Sequence, residues 1–313
     1  MKYLKRRDFL KNSLLAGSAV MLGNSLKASE VFYNPSRSYA APEPGEMPDI
    51  VSVSVSNIEK DLVKLLEPLG GIKSFVKPGQ SVGLLANSPW KNRGYHTNPD
   101  LVIAVANLCL SARAKEIICL KPADQNYWQL GDLFEANKSV TEALKFGTER
   151  IEVSIPKGVS MKKGLIFKDF MEVDVFINIP VAKHHVGCLY SGNLKGLMGV
   201  TSSETNRYMH SPDGRYTYDE DIYLSQCIAD LNLVRKPDLC IIDALECGIN
   251  NGPAGPGETV APNKLIAGTD PLATDVYAAK LLGFYADDIM TFHKAAEHGI
   301  GEIDPGKVKL MEF

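Results

Sequence analysis

No two of the six cysteines, at positions 109, 119, 188, 227, 240 and 247, stand two residues apart. Zinc ribbons and ferredoxin-type clusters are therefore not indicated, and no iron–sulfur cluster is expected in this chain. There is no lysine-rich tail, and charges of both signs are mixed along a sequence whose net charge is −3, so nothing points to nucleic acid. Internal repeats and low-complexity tracts are absent. The glycine-rich stretches lack the lysine and hydroxyl of a P-loop. The apolar run Ser13–Gly23 is too short and too rich in Gly and Ser for a stable transmembrane helix.

What the N-terminus does have is Lys5-Arg6-Arg7-Asp8-Phe9-Leu10-Lys11 ahead of that apolar run. A charged segment followed by a short apolar one is a signal-peptide pattern, and the adjacent arginines specify the twin-arginine route. The chain is thus expected to engage the twin-arginine translocase, cross the membrane folded and reach the periplasm. Residues 1–29 read as the signal. Residues 30–48, with four prolines, read as a linker. Ala28 and Ala40 both sit among small residues, and either suits cleavage. A protein folded before export cannot depend on disulfides, so none is expected to be essential.

Residues 49–313 carry the fold, either as one body or as lobes 49–180 and 181–313 with a cleft between them. Apolar runs rich in β-branched residues predict strands at Ile50–Ser56, Ser81–Asn87, Glu116–Lys121, Ile151–Ile155, Asp174–Ile179, Asp238–Asp243 and Lys264–Gly268. Between them, helical patterns predict Ile58–Leu69, Pro99–Ser111, Ser139–Phe146, Glu220–Val234, Pro271–Leu282 and Asp287–His298. The alternation argues for an α/β protein, a mostly parallel sheet with helices on both faces. Ligands of such sheets bind beyond the carboxyl ends of the strands.

The segments after the strands hold the candidate chemistry. After Ser81–Asn87 come Lys91, Arg93 and His96, then Asn98 and Pro99 as cap and first residue of a helix, a setting that suits an anion. After Asp174–Ile179 come Lys183, His184, His185 and Lys195, two histidines and two lysines within thirteen residues, with four glycines between positions 187 and 199. Glycine lets the backbone approach a ligand closely. A lysine in such surroundings invites a lowered pKa and covalent chemistry. The histidines suit an acid, a base or a metal ligand. Gly192 and Asn193 precede Lys195, and His210 follows it as a third imidazole. A further loop, residues 244–258, offers Gly252 and Gly255 for a phosphate or carboxylate, or simply connects. Asp270 and Pro271 read as a helix cap, and Asp275 as a satisfied polar group on that helix.

The run DVFINIPVAKHHVGCLYSGNLKGLMG, with LCIIDALECGINNGPAGPG and LIAGTDPLATDVYAAKLLGF downstream, resembles the domain-of-unknown-function family 362 over roughly residues 80–285. That family has no settled general activity. A more distant likeness is to the nickel-pincer lactate racemases, in which an apolar strand, a histidine and a glycine-rich turn lead to a lysine ten residues on. His185 and Lys195 have that spacing. The likeness implies a lysine-linked organic cofactor on Lys195 and a metal ligand at His210.

The reading that follows is an exported enzyme acting on a small anionic metabolite by racemase, epimerase or redox chemistry. Lys195 binds cofactor or substrate. His185 and His184 exchange a proton, and His210 ligates a metal. Lys183, Arg93 and His96 hold the substrate carboxylate. The alternative is a non-catalytic periplasmic protein that holds a metal, cofactor or metabolite in the same cleft.

Overall fold

In the computed structural model the described residues are 38–212 and 220–313. The twin-arginine segment, the cleavage candidate Ala28 and the first part of the linker lie outside them. The described residues all fall within one compact unit.

The strands of its first half are β1 (Ile50–Ser54), β2 (Ser81–Ala86), β3 (Glu116–Cys119), β4 (Arg150–Ser154), β5 (Lys163–Phe167) and β6 (Val175–Ile179). Those of the second half are β7 (Lys183–His185), β8 (Leu189–Ser191), β9 (Leu239–Ala244), β10 (Cys247–Gly248), β11 (Thr259–Val260), β12 (Lys264–Gly268) and β13 (Leu310–Glu312). Seven of them make one sheet in the order β13-β1-β12-β9-β6-β2-β3. Strand β12 runs antiparallel to both neighbours. Every other pairing is parallel. Both sides of residue 180 contribute strands to this sheet.

The longer helices are α1 (Ile58–Leu66), α2 (Pro99–Ser111), α3 (Ser203–His210), α4 (Glu220–Asn232), α5 (Pro271–Leu281) and α6 (Met290–Glu297). Strand side chains alternate between two cores, as the two-residue period requires. Val51, Ile177, Ile241 and Leu265 point to the side covered by α1 and α2. Ile50, Phe176, Ile242 and Ile266 point to the side covered by α4, α5 and α6. The caps follow local chemistry. Asn98 accepts from the Asp100 amide with Pro99 in the first turn of α2. Asp270 accepts from the amides of Leu272 and Ala273 at the start of α5.

One sequence expectation is corrected. The strand expected near Ile151–Ile155 forms, but β4 pairs antiparallel with β5 in a separate ribbon. Arg150, Glu152 and Ser154 alternate with Ile151 and Val153, and such a strand cannot be covered on both faces. The last residues of the linker stretch touch the rest of the fold. Ala40 bridges to Lys309 in parallel fashion, and the Tyr39 ring meets Tyr277 edge-on at 5.4 Å. Among the described residues no helix is long and apolar enough to cross a membrane. All six cysteines are buried thiols, Cys188 and Cys247 included.

Candidate functional site

Strands β2, β3, β6 and β9 are parallel, so their carboxyl ends open on one edge of the sheet. A cavity of about 480 Å³ lies there. Its wall takes Asn87 and Trp90 from beyond β2, Lys121 from beyond β3, and Pro180, Val181 and Lys183 from beyond β6. The hairpin β7–β8 adds His185 and Ser191, the following helical turn adds Lys195, and α3 adds Asn206, Arg207 and His210.

Lys195 sits on the turn Asn193–Gly196, and this turn is gripped from three directions. The Asp275 carboxylate on α5 accepts from the Asn193 and Leu194 amides at 2.7 and 2.9 Å. Asn178 of β6 donates to the Asn193 carbonyl and Asn232 of α4 to the Leu194 carbonyl, both at 2.9 Å. The Asn193 side chain donates in turn to Thr274 Oγ1. A Cβ at Gly192 would overlap both Asp275 Oδ1 and the Tyr190 hydroxyl, so only glycine brings the chain this close. The half-buried Lys195 amine makes no hydrogen bond or ion pair with any described side chain, and burial lowers its pKa.

Lys183, 2% exposed, is held differently. Its Nζ donates to the carbonyls of Tyr95 at 2.8 Å and Pro253 at 2.6 Å. The Trp90 and Tyr95 rings lie 5.7 and 5.9 Å away. Burial, then the charges of Lys195 and Lys121, lower its pKa to about 6. Lys121 is lowered to about 8, again by burial first and then by Lys195.

The imidazoles are neutral and oriented. His185 Nδ1 accepts from the Gly187 amide at 3.1 Å, so its proton resides on Nε2. Burial, reinforced by Lys195, His210, Lys183 and His184, lowers its pKa to about 2. His210 has the opposite tautomer. Its Nδ1–H donates to the Asn206 carbonyl at 2.8 Å, leaving Nε2 with a lone pair. The two rings are 6.2 Å apart. The cavity thus meets one imidazole N–H and one imidazole lone pair.

Lys183, His185, Lys195 and His210 therefore line one cavity. Other candidates do not join them. His184 accepts from the Gly252 amide through Nδ1 and faces Phe284 on the far side of the hairpin. Arg93 and His96 line a second cavity, of about 450 Å³, with Asp132, Asp243 and Glu246. There Arg93 pairs with Glu246 at 3.2 Å. The loop after β2 divides its side chains between the two cavities, which a basic stretch in one dimension does not reveal. Gly252 packs against the His184 carbonyl and Gly255 against the Tyr95 ring, so both shape loops rather than line the cavity. Among the described residues no group of three or more His, Cys, Asp or Glu converges as a metal site.

Sequence reasoning overlooked Lys121 and Arg207. Lys121 had a signal, a lysine at the carboxyl end of a strand. Arg207 had none until α3 was known. The satisfied polar role read for Asp275 corresponds to its grip on the lysine turn.

The chain is 27% identical over 278 residues to a thylakoid-associated protein of Synechocystis sp., covering 83% of this chain and 79% of that one. Its structure is similar to the lactate racemase apoprotein of Thermoanaerobacterium thermosaccharolyticum, at 15% identity and a TM-score of 0.47. That match covers 77% of this chain but 60% of the racemase, so the chain spans less than two thirds of the racemase's length. A Thermotoga maritima structure is similar at 14% identity and a TM-score of 0.34, covering 59% of this chain and 49% of the other. Strand β2 through most of α5, which between them carry the whole cavity wall, coincide with a family match over residues 82–280, and the chain belongs to the family described as Domain of unknown function (DUF362).

Proposed function

We propose that this protein is exported and binds a small anionic metabolite in the cavity around Lys195, where the lysine and histidine side chains act on it. One observation carries the reading. Among the described residues the cavity wall holds Lys121, Lys183, Lys195, Arg207, His185 and His210, and no carboxylate. Gathering cations in a partly buried space without a counter-charge raises free energy, and an anion offsets that cost. The Lys195 amine, with no hydrogen-bond or ion-pair partner among the described residues and on a turn held from three sides, is the group best placed to touch the ligand. His185 offers an N–H that can hydrogen-bond a substrate oxygen, and His210 a lone pair that can accept a proton from the substrate. A base placed beside a polarised substrate is one part of what a racemase or epimerase requires. A lysine-linked organic group fits the same residues, attached to Lys195 with His210 Nε2 as a donor to any metal it holds. Such a group would supply a hydride or electron acceptor that the side chains lack. The thylakoid association of the Synechocystis relative supports a place at or across a membrane, in line with the twin-arginine segment.

Titration calorimetry with lactate, malate and other small carboxylates tests the binding. Wild-type protein should bind at least one of them, and Lys195→Met should lose that binding while keeping its circular dichroism and melting behaviour. Unchanged affinity in the variant would remove Lys195 from the site. Incubation of each bound anion in D2O, followed by NMR, tests the chemistry. Deuterium entering a carbon of the ligand supports the isomerase reading. Binding without exchange or turnover favours the non-catalytic alternative, a periplasmic metabolite-binding protein.

A further inference from the structure

Lys183 is the most confined of the three cavity lysines, and its hydrogen bonds restrict how it can titrate. Two carbonyl oxygens, of Tyr95 and Pro253, occupy two positions around Nζ. A neutral amine has two N–H groups and one lone pair. Both N–H groups are thereby satisfied, and the remaining position, the lone pair, is left for the cavity that Lys183 lines. A third proton there would be an ammonium N–H available to a ligand.

The surroundings decide when that proton is held. The titratable and charged groups about Lys183 are Lys195 from the helical turn, Lys121 from beyond β3, and His185 from its own hairpin. His96 and Tyr95 come from the loop after β2, and His210 and Arg207 from α3. None of the described cavity-lining residues is an acid. The nearby buried carboxylate Asp243 is directed at the amides of Asn98 and Leu245 instead. We propose that the cavity selects small dianions, a dicarboxylate or a tetrahedral oxyanion, and that their binding carries a proton onto Lys183. This rests on the anion-binding reading above and names the charge class of its ligand. The charges of Lys195, Lys121 and the Arg207 guanidinium oppose a proton on Lys183, and a second negative charge on the ligand offsets more of that repulsion than a monoanion can.

The pKa of Lys183 in the empty cavity is about 6, lowered by burial and then by its two lysine neighbours. At pH 8 the amine is therefore mostly neutral before the ligand arrives. A dianion raises the pKa, and one proton is taken up. By linkage, affinity then falls as pH rises, by up to about tenfold per pH unit between the free and bound values.

The experiment is calorimetry of the purified protein at pH 8 with succinate, sulfate and acetate, none of which titrates there. Each titration is repeated in two buffers of different ionisation enthalpy, which counts protons. Succinate or sulfate should bind at least tenfold more tightly than acetate, with close to one proton taken up per dianion. Lys183→Met should bind the same dianion more weakly and without proton uptake. If that variant fails to fold, the dissociation constant of the wild type from pH 7 to 9 carries the test, and a flat profile overturns the proposal. Acetate binding as tightly as the dianions, or proton uptake persisting in Lys183→Met, also overturns it while leaving anion binding at Lys195 intact. Failure of all three anions to bind overturns both readings.

Discussion

The grip of Asp275 on the Lys195 turn yields a pH-dependent prediction for the conservative variant Asp275→Asn. Asp275 is 1% exposed, and its two oxygens receive one amide each, from Asn193 and Leu194. Burial pushes its pKa up to about 7, against the two amide hydrogen bonds that favour the ionised form. The unfolded value lies near 4. The folded state therefore binds the proton more tightly, and stability falls as pH rises. The contribution is fully present below pH ~4 and is lost through pH ~7. Three units at about 1.4 kcal/mol each put the loss on the order of 3–4 kcal/mol. Asparagine does not titrate and lacks this loss. It has its own penalty at every pH, because one backbone N–H then faces an NH2 group instead of an oxygen, worth about 1–3 kcal/mol.

Urea unfolding of both proteins at pH 5, 6, 7 and 8 measures the difference. At pH 5, one unit above the unfolded value, about 1 kcal/mol of the wild type's loss has already occurred, so the variant should be less stable by about 0–2 kcal/mol, a melting shift of up to roughly 8 °C. By pH 8 the gap should close or reverse. A gap that stays constant or widens with pH would refute the reasoning, because it would mean the ionised carboxylate stabilises the turn more than burial opposes it. Anion affinity at pH 8 reports the functional side. A turn that has lost its register displaces Lys195 and weakens binding even where stability has recovered.

Two further outcomes follow from packing. A Cβ at Gly252 would run into the His184 carbonyl, backbone against backbone, so Gly252→Ala should lower stability by about 1–3 kcal/mol. It should also weaken anion binding, because Pro253 holds Lys183; denaturation and calorimetry on the same sample check both. If the chain is exported and processed, cleavage at Ala40 would remove the Tyr39 ring from Tyr277 and cut the bridge to Lys309. The mature N-terminus should therefore lie before Tyr39, nearer Ala28, which N-terminal sequencing of protein from the envelope fraction decides.

The elements that were legible in the sequence are those whose signals are local. Helix α2 runs from Pro99 to Ser111 as its cap and periodicity dictate, and β12 spans Lys264–Gly268 as its apolar run does. The chemistry of the strand ends was legible for the same reason, since Lys183, His185 and Lys195 share one connection. What was not legible depends on pairing across the chain. Asp275 meets Asn193 across 82 positions, and nothing at either position announces the other. Arg93 and Lys121 were misjudged in opposite directions, since the side on which a loop residue falls depends on how the loop crosses the sheet edge. The short hairpin β7–β8 escaped because three-residue strands carry no period. The tautomer of His185 hangs on the Gly187 amide, a bond that only the folded turn provides.

The charge balance of the site explains how the fold tolerates it. Two buried carboxylates lie close to the sheet edge, Asp243 and Asp275, and either could in principle have neutralised a lysine. Both are directed at backbone amides, Asp243 at Asn98 and Leu245, Asp275 at Asn193 and Leu194. The lysines are left to reduce their cost by giving up protons, which burial and their mutual repulsion both favour. An ion pair within the chain would have stabilised the empty protein and closed the site to an outside anion. The arrangement found does the reverse. It lowers the charge of the empty cavity by holding Lys183 neutral and lets the ligand bring the charge that completes the site, so affinity depends on what the fold withholds from Lys121, Lys183 and Lys195 as much as on what it positions.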